Sequence, residues 1–218
     1  MSKEVEIRTS QEGALKAHSS DDGPKVISGY ALKFGTRDHN LGGFIEMIDK
    51  RALDQTDMSD VRALIDHDPS KILGRTSAGT LKLEVDDIGL RFDVTLPNTQ
   101  YATDLYENLR VGNISNCSFG FLLGKNGDSF TRDQETGPPL RSLRNISKLT
   151  DVSVVTYPAY EDTDVTIAQR NLKQYEQRNL NPEKEKSAAA VGFIKNGIVK
   201  ALENRVLILF EKEKTHAI

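Results

Sequence analysis

The sequence lacks several features that assign a chain to a protein class at once. It has no tryptophan and a single cysteine, Cys117. One cysteine cannot form an intrachain disulfide, and it cannot supply the several thiolates of a cysteine-rich zinc site. Such sparing use of cysteine is typical of proteins in a reducing compartment. We therefore expect a cytoplasmic protein.

Long hydrophobic runs are also missing. The longest apolar candidate, Val206–Phe210, is far shorter than the roughly 20 residues that a helix needs to cross a bilayer. The first ten residues contain no apolar core of the kind that a signal peptide requires. These observations predict a soluble protein that does not act at a membrane.

Positive charge is scarce over most of the chain. Residues 1–169 carry 19 lysines and arginines against 26 aspartates and glutamates, a net charge of −7, whereas residues 170–218 carry 10 against 6, a net charge of +4. An acidic body argues against non-specific binding to nucleic acid, because phosphate contacts depend on lysine and arginine. The change of composition predicts a domain boundary near residue 170.

Polarity and periodicity divide the sequence into three parts. Residues 1–24 are polar and end in a run of serine, aspartate, glycine and proline, which predicts a flexible N-terminal arm. Residues 25–169 are predicted to form the main domain. Residues 170–218 begin with a polar, charged stretch and continue with apolar residues at helical spacing, which predicts a charged linker and an amphipathic C-terminal helix.

The main domain is dominated by strand signals. Thr80–Val85 and Leu90–Leu96 alternate apolar and polar residues across a short turn, which predicts a β-hairpin. A helix of about 12 residues is predicted to begin after Asn98 or Thr99, because apolar residues then recur at helical spacing. About nine short strands with one main helix indicate an antiparallel barrel or sandwich.

Ser118 and His67 are the first candidates for catalytic chemistry. Ser118 lies among strand-forming and glycine residues, and a serine becomes a nucleophile only when a base can take its proton. His67 is the one histidine in an ordered-looking segment, since the others lie in the arm, in a loop and near the end of the chain: His18, His39 and His216. The alternative is that His67 is an ordinary surface histidine at the end of a strand.

Strand alternation separates Ser118 from a rival nucleophile. Cys117, Phe119 and Phe121 share one face of the predicted strand, where the phenylalanines favour a buried core. Ser118 and Gly120 share the other face, so Ser118 is predicted to point outward beside a glycine that leaves room for a substrate backbone. Cys117 is then a small buried thiol, although a thiol is intrinsically the more reactive group.

Acidic residues offer two different sites. Asp151 lies in the valine-rich strand Leu149–Thr156, where a carboxylate is costly to bury unless it has a partner. It is therefore the candidate that would orient the imidazole, and the alternative is an edge-strand aspartate that faces water. Asp66 and Asp68 flank His67 and suggest a metal-dependent hydrolase, but strand alternation points both carboxylates away from the ring.

Five sequence blocks follow one another along the chain: Gly29–Gly35, Leu64–Thr76, Gly89–Phe92, Ile114–Phe121 and Asp151–Tyr160. Over residues 26–167, their order resembles that of the prohead maturation proteases of tailed bacteriophages, of the HK97 type. The resemblance implies a mainly β protein with helices (α+β), built as an assemblin-like antiparallel β-barrel flanked by helices. It also implies a serine endopeptidase that needs neither a cofactor nor a metal ion.

The resemblance further implies the role of each site residue. His67 would be the general base, Ser118 the nucleophile and Asp151 the orienting acid, while Gly74-Arg75 or Phe119-Gly120 would supply the oxyanion hole. The enzyme would act inside the immature capsid in the host cytoplasm, where it would remove the scaffolding-like N-terminal segment of the major capsid protein and then digest itself. The related proteases dimerise, which implies a homodimer. The alternative is a non-catalytic β-barrel protein of capsid assembly.

Overall fold

The computed structural model describes residues 4–9, 15–19, 23–37, 41, 43–132, 137–157 and 166–180. The chain divides into two units, Met1–Arg170 and Asn171–Ile218. All the described strands lie in the first unit. The predicted amphipathic C-terminal helix falls in residues 181–218, outside the described residues.

Short strands make up most of the described chain, and two helices accompany them. In chain order they are β1 (Glu6–Thr9), β2 (Leu15–His18), β3 (Val26–Lys33), β4 (Ile45–Ile48), β5 (Arg62–Ile65), β6 (Asp68–Arg75), β7 (Leu81–Val85), β8 (Gly89–Thr95), α1 (Gln100–Arg110), β9 (Asn116–Leu123), β10 (Asp128–Thr131), β11 (Leu140–Leu143), β12 (Ile146–Val155) and α2 (Thr166–Leu180). One turn of 3-10 helix, Thr76–Ala78, joins β6 to β7. The prediction of a mainly β protein with helices is confirmed.

The described strands form three separate sheets. Their orders are β1-β9-β12-β5-β6, β10-β11-β4 and β2-β3-β8-β7. Each order begins and ends at a different strand, so none of the sheets formed by the described strands closes on itself. The closed barrel expected from the sequence is therefore not found in this part of the chain.

The expectation of purely antiparallel pairing is wrong for two strand pairs. β12 runs parallel to β5, with Asp151 opposite Arg62, and β11 runs parallel to β4. Parallel neighbours need a long connection, and about 80 residues separate β5 from β12 in the chain. Alternation of apolar and polar residues predicts which face a side chain occupies but carries no information on the direction of the neighbouring strand.

Two local predictions hold in the structure. β7 and β8 pair antiparallel as the expected hairpin, and Leu90, Phe92 and Val94 of β8 are buried on one face. The predicted helix is α1, which buries Leu105 and Tyr106. Both elements have a strong period within a single stretch of sequence, so neighbouring residues alone are enough to specify them.

The hydrophobic core lies between the sheets. Its largest fully buried apolar side chains come from the strands of all three sheets and the loop before β4; they include Ile27, Phe44, Leu73, Phe92, Phe119, Phe121, Leu143 and Leu149. Phe119 and Phe121 stack with their ring centroids 5.4 Å apart. Because alternate residues of β9 supply these rings, one face of β9 is fixed against the core and the other is left for polar side chains.

The flexible arm expected over residues 1–24 contains two strands in the structure. β1 pairs antiparallel with β9, and β2 pairs antiparallel with β3. Glu6 and Arg8 are nearly fully buried although both are charged. They form ion pairs with each other and with Glu46 and Arg141 of the three-stranded sheet. The charges that suggested a solvated arm are therefore compensated inside the protein.

A second correction concerns the segment after residue 170. The sequence predicted a charged linker there, but Thr166–Leu180 forms a continuous helix of 15 residues. Straight-chain polar residues such as glutamine, lysine and arginine have good helix propensity, so their abundance does not exclude a helix. Neither helix in the described ranges is long and apolar enough to span a bilayer.

Candidate active site

His67 lies in the tight turn between β5 and β6 rather than in a strand. Asp66 and His67 form a two-residue hairpin connection, and both have positive φ, 50° and 57°. Positive φ at both central residues is the requirement of a type I′ turn, and non-glycine residues adopt it only at a cost in free energy. Side chains do not alternate between two faces in a turn, so the strand alternation predicted for residues 66–68 is wrong.

Asp66 holds this turn against the end of β12. Its backbone N–H donates to Val154 O at 2.9 Å, and its carboxylate accepts hydrogen bonds from Thr156 N at 2.8 Å and Thr156 Oγ1 at 3.1 Å. These contacts compensate the strained backbone and fix the direction in which the His67 ring projects. The carboxylate beside the histidine thus acts on the backbone and not on the imidazole.

Ser118 occupies the centre of β9, opposite Ser153 of β12 on one side and Thr9 of β1 on the other. The prediction that it points away from the core is consistent with its contacts, since it faces His67 while Cys117 and Phe119 face the core. The expectation of an outward, open hydroxyl is wrong, however. Ser118 is only 1% exposed.

The three predicted residues meet in a continuous chain of hydrogen bonds. His67 Nε2 lies 2.7 Å from Ser118 Oγ, and His67 Nδ1 lies 2.6 Å from Asp151 Oδ1. One ring nitrogen therefore faces the hydroxyl and the other faces the carboxylate. With Nδ1 protonated toward Asp151, Nε2 is free to take the serine proton, so this geometry is competent for nucleophilic catalysis.

Two hydroxyl groups hold the carboxylate of Asp151. Ser153 Oγ donates to Asp151 Oδ1 at 2.7 Å, and Thr150 Oγ1 donates to Asp151 Oδ2 at 3.0 Å. Burial opposes ionisation, but the hydrogen bond and charge of His67, with the bonds from Ser153 and Thr150, hold the pKa of the Asp151 carboxyl below its ordinary value. The group is thus kept as a carboxylate, the form that can orient an imidazole.

Ser153 and Thr150 were not singled out from the sequence. Ser153 also lies 3.2 Å from His67 Nδ1, so it contacts both His67 and Asp151. The signal for Ser153 was available, because it lies two residues after Asp151 in a strand and alternation places the two side chains on one face. Thr150 contacts Asp151 from the preceding position, and its proximity follows from a bulge in β12 that no sequence pattern announces.

Gly120 is explained by Asp151 rather than by a substrate backbone. Gly120 lies opposite Asp151 in the β9–β12 pair, and a Cβ added to it would overlap Asp151 Oδ2 and approach Thr150 Oγ1 to 2.6 Å. The missing side chain therefore makes the space that the carboxylate occupies. Gly74, one of the residues expected near an oxyanion, instead packs against Val94 and Thr80.

Gly120→Ala is expected to displace Asp151 and lower kcat about 100-fold or more, since a shift of about 1 Å in a catalytic group has effects of that size. The free energy of unfolding should also fall, by about 1–3 kcal/mol, through overpacking. Gly89→Ala is the matched control, because its Cβ would overlap Leu32 O in a different sheet. The rate of peptide hydrolysis is divided by the fraction of folded molecules, which thermal melts provide. This separates a loss of kcat from a loss of stability. Equal kcat in both variants would contradict this role of Gly120.

The rival sites do not assemble. Cys117 is fully buried in the hydrophobic core. Asp68 bonds to Ser70, and Asp66 bonds to Thr156, so neither carboxylate turns toward the His67 ring. Among the described residues no group of three or more histidine, cysteine, aspartate or glutamate side chains is placed to hold a metal ion.

The family model of the caudovirus prohead serine proteases matches residues 12–178, a range that contains His67, Ser118 and Asp151 and begins after β1. Among solved structures, the capsid assembly protease of bacteriophage T4, gp21, is similar with a TM-score of 0.47 and 16% sequence identity, covering 71% of this chain and 98% of the T4 protein. None of the curated protein sequences matches the chain.

Proposed function

The chain belongs to the caudovirus prohead serine protease family, and we propose that Ser118, His67 and Asp151 are the residues with which it hydrolyses peptide bonds. The single observation that carries this proposal is the unbroken series of hydrogen bonds from Ser118 Oγ through both ring nitrogens of His67 to Asp151. A serine protease needs one nucleophile, one base and one group that orients the base. These three side chains supply one of each.

The proposed reaction is acyl transfer in two steps. His67 Nε2 takes the proton of Ser118 while Oγ attacks the peptide carbonyl carbon, and the imidazolium then gives that proton to the leaving amine. The acyl enzyme is hydrolysed by water, which loses a proton to His67 as it attacks and so regenerates Ser118. Asp151 keeps Nδ1 protonated and stabilises the imidazolium in both steps.

The proposed substrate is the major capsid protein of the same phage. Removal of its scaffolding-like N-terminal segment inside the prohead, in the host cytoplasm, is the role that membership of a prohead protease family supports best. We further propose that the enzyme cleaves itself, and that it acts as a homodimer.

Co-expression with the capsid protein tests this function. Wild-type protein should shorten the capsid protein, and Ser118→Ala should leave it at full length, because the alanine has no nucleophilic oxygen. Cys117→Ala is the matched control, since it removes the adjacent thiol from the core face and should leave cleavage intact, with or without a chelator. Gel mobility and mass spectrometry of the capsid protein give the result, and cleavage that persists in Ser118→Ala would sink the proposal.

A further inference from the structure

The nucleophile faces a backbone carbonyl of its own chain. β1 runs antiparallel along β9, with Thr9 opposite Ser118 and Arg8 opposite Phe119. Ser118 Oγ donates a hydrogen bond to Arg8 O at 3.0 Å. The carbonyl of the peptide bond between Arg8 and Thr9 thus lies beside the serine oxygen, within hydrogen-bond distance of the proposed nucleophile.

Arg8 O and His67 Nε2 compete for the proton of Ser118. A serine hydroxyl has one proton, and both acceptors lie within hydrogen-bond distance of Oγ, Arg8 O at 3.0 Å and Nε2 at 2.7 Å. A hydroxyl that donates to Arg8 O cannot at the same moment give its proton to His67. Departure of β1 would remove this competition.

The side chain of Arg8 lies against a buried carboxylate. Arg8 donates to both oxygens of Glu46 on β4, from Nε at 2.7 Å and Nη2 at 3.1 Å. Its guanidinium carbon also lies 5.9 Å from the ring centroid of Phe121. Two parallel hydrogen bonds to a carboxylate and an aromatic ring beside the guanidinium are the features that select arginine.

The side chain of Glu6, two residues before Arg8, lies against a basic side chain. Arg141 of β11 is fully buried and donates to Glu6 from Nη1 at 2.7 Å and Nη2 at 3.0 Å. Arg141 also bonds Glu46 and Asp128. If β1 left β9, one buried arginine, Arg141, and two carboxylates, Glu46 and Asp128, would remain at this place. A peptide strand that carries both an acidic and a basic side chain would restore the ion pairs that β1 provides.

β1 has the position of a removable strand. Among the described strands it is an edge strand whose one partner is β9, and it precedes the region shared with the protease family. Without β1, β9 becomes a sheet edge with unpaired backbone groups next to Ser118. Such an edge binds an extended peptide by strand addition, with alternate side chains entering pockets.

We infer that Glu6–Thr9 occupies the place of the substrate strand, and that the enzyme takes extended peptides with a basic residue immediately before the cleaved bond and an acidic residue two positions earlier. Glu46 reads the basic residue and Arg141 reads the acidic one. This inference rests on the proposed function, because it names the substrate class of the same site.

Three synthetic peptides test the subsites without altering the protein. The first has the sequence of residues 4–12, and the others change its arginine to glutamine or the glutamate corresponding to Glu6 to glutamine. The first peptide should be cleaved after arginine. Loss of the arginine should lower kcat/KM at least about 30-fold, since buried Glu46 then loses two of its hydrogen bonds and keeps only the one from Arg141, and loss of the glutamate about 5-fold or more. Equal rates for all three peptides would overturn the inference.

Full-length Arg8→Gln tests the occupancy of the site. It removes the hydrogen bonds between Arg8 and Glu46, so β1 binds β9 less tightly. The fraction of molecules whose site is open should grow, and kcat/KM for the first peptide should therefore rise about 10-fold. Lys16→Gln, which removes an exposed positive charge from β2, is the matched control and should change nothing. If Arg8 serves only to stabilise the fold, Arg8→Gln lowers turnover instead, and that result would overturn the inference.

A binding measurement separates this inference from the proposed function. The first and the arginine-free peptide, each labelled with fluorescein, are titrated with full-length Ser118→Ala carrying Arg8→Gln. Tighter binding of the peptide with arginine supports the subsites even if the wild type cleaves no capsid protein, an outcome that would remove only the proposed function. Equal binding overturns the subsites, even if capsid protein is cleaved in a Ser118-dependent way.

Discussion

Replacing His67 by alanine is expected to lower kcat for peptide hydrolysis by about 10⁵-fold or more, the scale seen when the base of a serine-protease triad is removed. His67 is the described histidine that touches both Ser118 and Asp151. Without His67, no described side chain is placed both to take the proton of Ser118 and to bond to the Asp151 carboxylate. Rates measured on a peptide from the capsid cleavage site check this expectation.

His18→Ala is the matched control for that experiment. His18 also lies near a serine, with Nε2 3.1 Å from Ser28 Oγ, but it belongs to β2 in another sheet. It should leave kcat unchanged, whereas an equal loss in both variants would show that the effect is structural. Residual activity of His67→Ala within about 10-fold of wild type would be incompatible with a general-base role.

Asp151→Asn is expected to lower kcat by about 10⁴-fold while the fold persists. The asparagine can donate its amide to Nδ1, which favours the tautomer with the proton on Nε2, and that nitrogen then cannot accept from Ser118. KM should change little, because Asp151 contacts the imidazole rather than the peptide. Asp93→Asn is the control, since Asp93 also accepts from a serine, Ser28, in a different sheet.

The stability of the Asp151 variant should depend on pH in a definite direction. The pKa of Asp151 is depressed in the folded protein, so its ionised form stabilises the fold above the unfolded pKa, and the contribution disappears as the pH falls through the folded pKa. Wild type should therefore exceed Asp151→Asn in unfolding free energy at neutral pH. The difference should shrink below about pH 4. Urea unfolding at several pH values measures it, and a difference that grows on acidification would be inconsistent with an ion pair.

The site residues were predictable because each lies in a distinctive local sequence. Ser118 lies between Cys117 and Phe119, which both face the core, and Asp151 lies in a valine-rich strand, so simple alternation identified their faces. Their pairing across β9 and β12 required a contact between distant parts of the chain, and the resemblance to a protease family supplied that link. Residue patterns alone left several alternatives open.

Other parts of the site were hidden from sequence reasoning for physical reasons. The Asp66-His67 turn lacks the glycine or asparagine that usually marks positive φ, since its strain is compensated by bonds to Thr156. β1 looked like a solvated arm because Glu6 and Arg8 are charged, and their burial depends on partners about 40 and 135 residues away. Long-range compensation of this kind leaves no local pattern.

All three members of the hydrogen-bonded chain are positioned by one strand, β12. Asp151 belongs to it, Ser118 pairs across it through Ser153, and the turn that bears His67 is tied to its end by Asp66. A rigid-body shift of either smaller sheet would therefore leave the distances among these three side chains unchanged. Glu46 and Arg141, the residues that we propose to read the peptide, lie on the three-stranded sheet, so changes in that sheet would alter peptide preference without moving these three side chains.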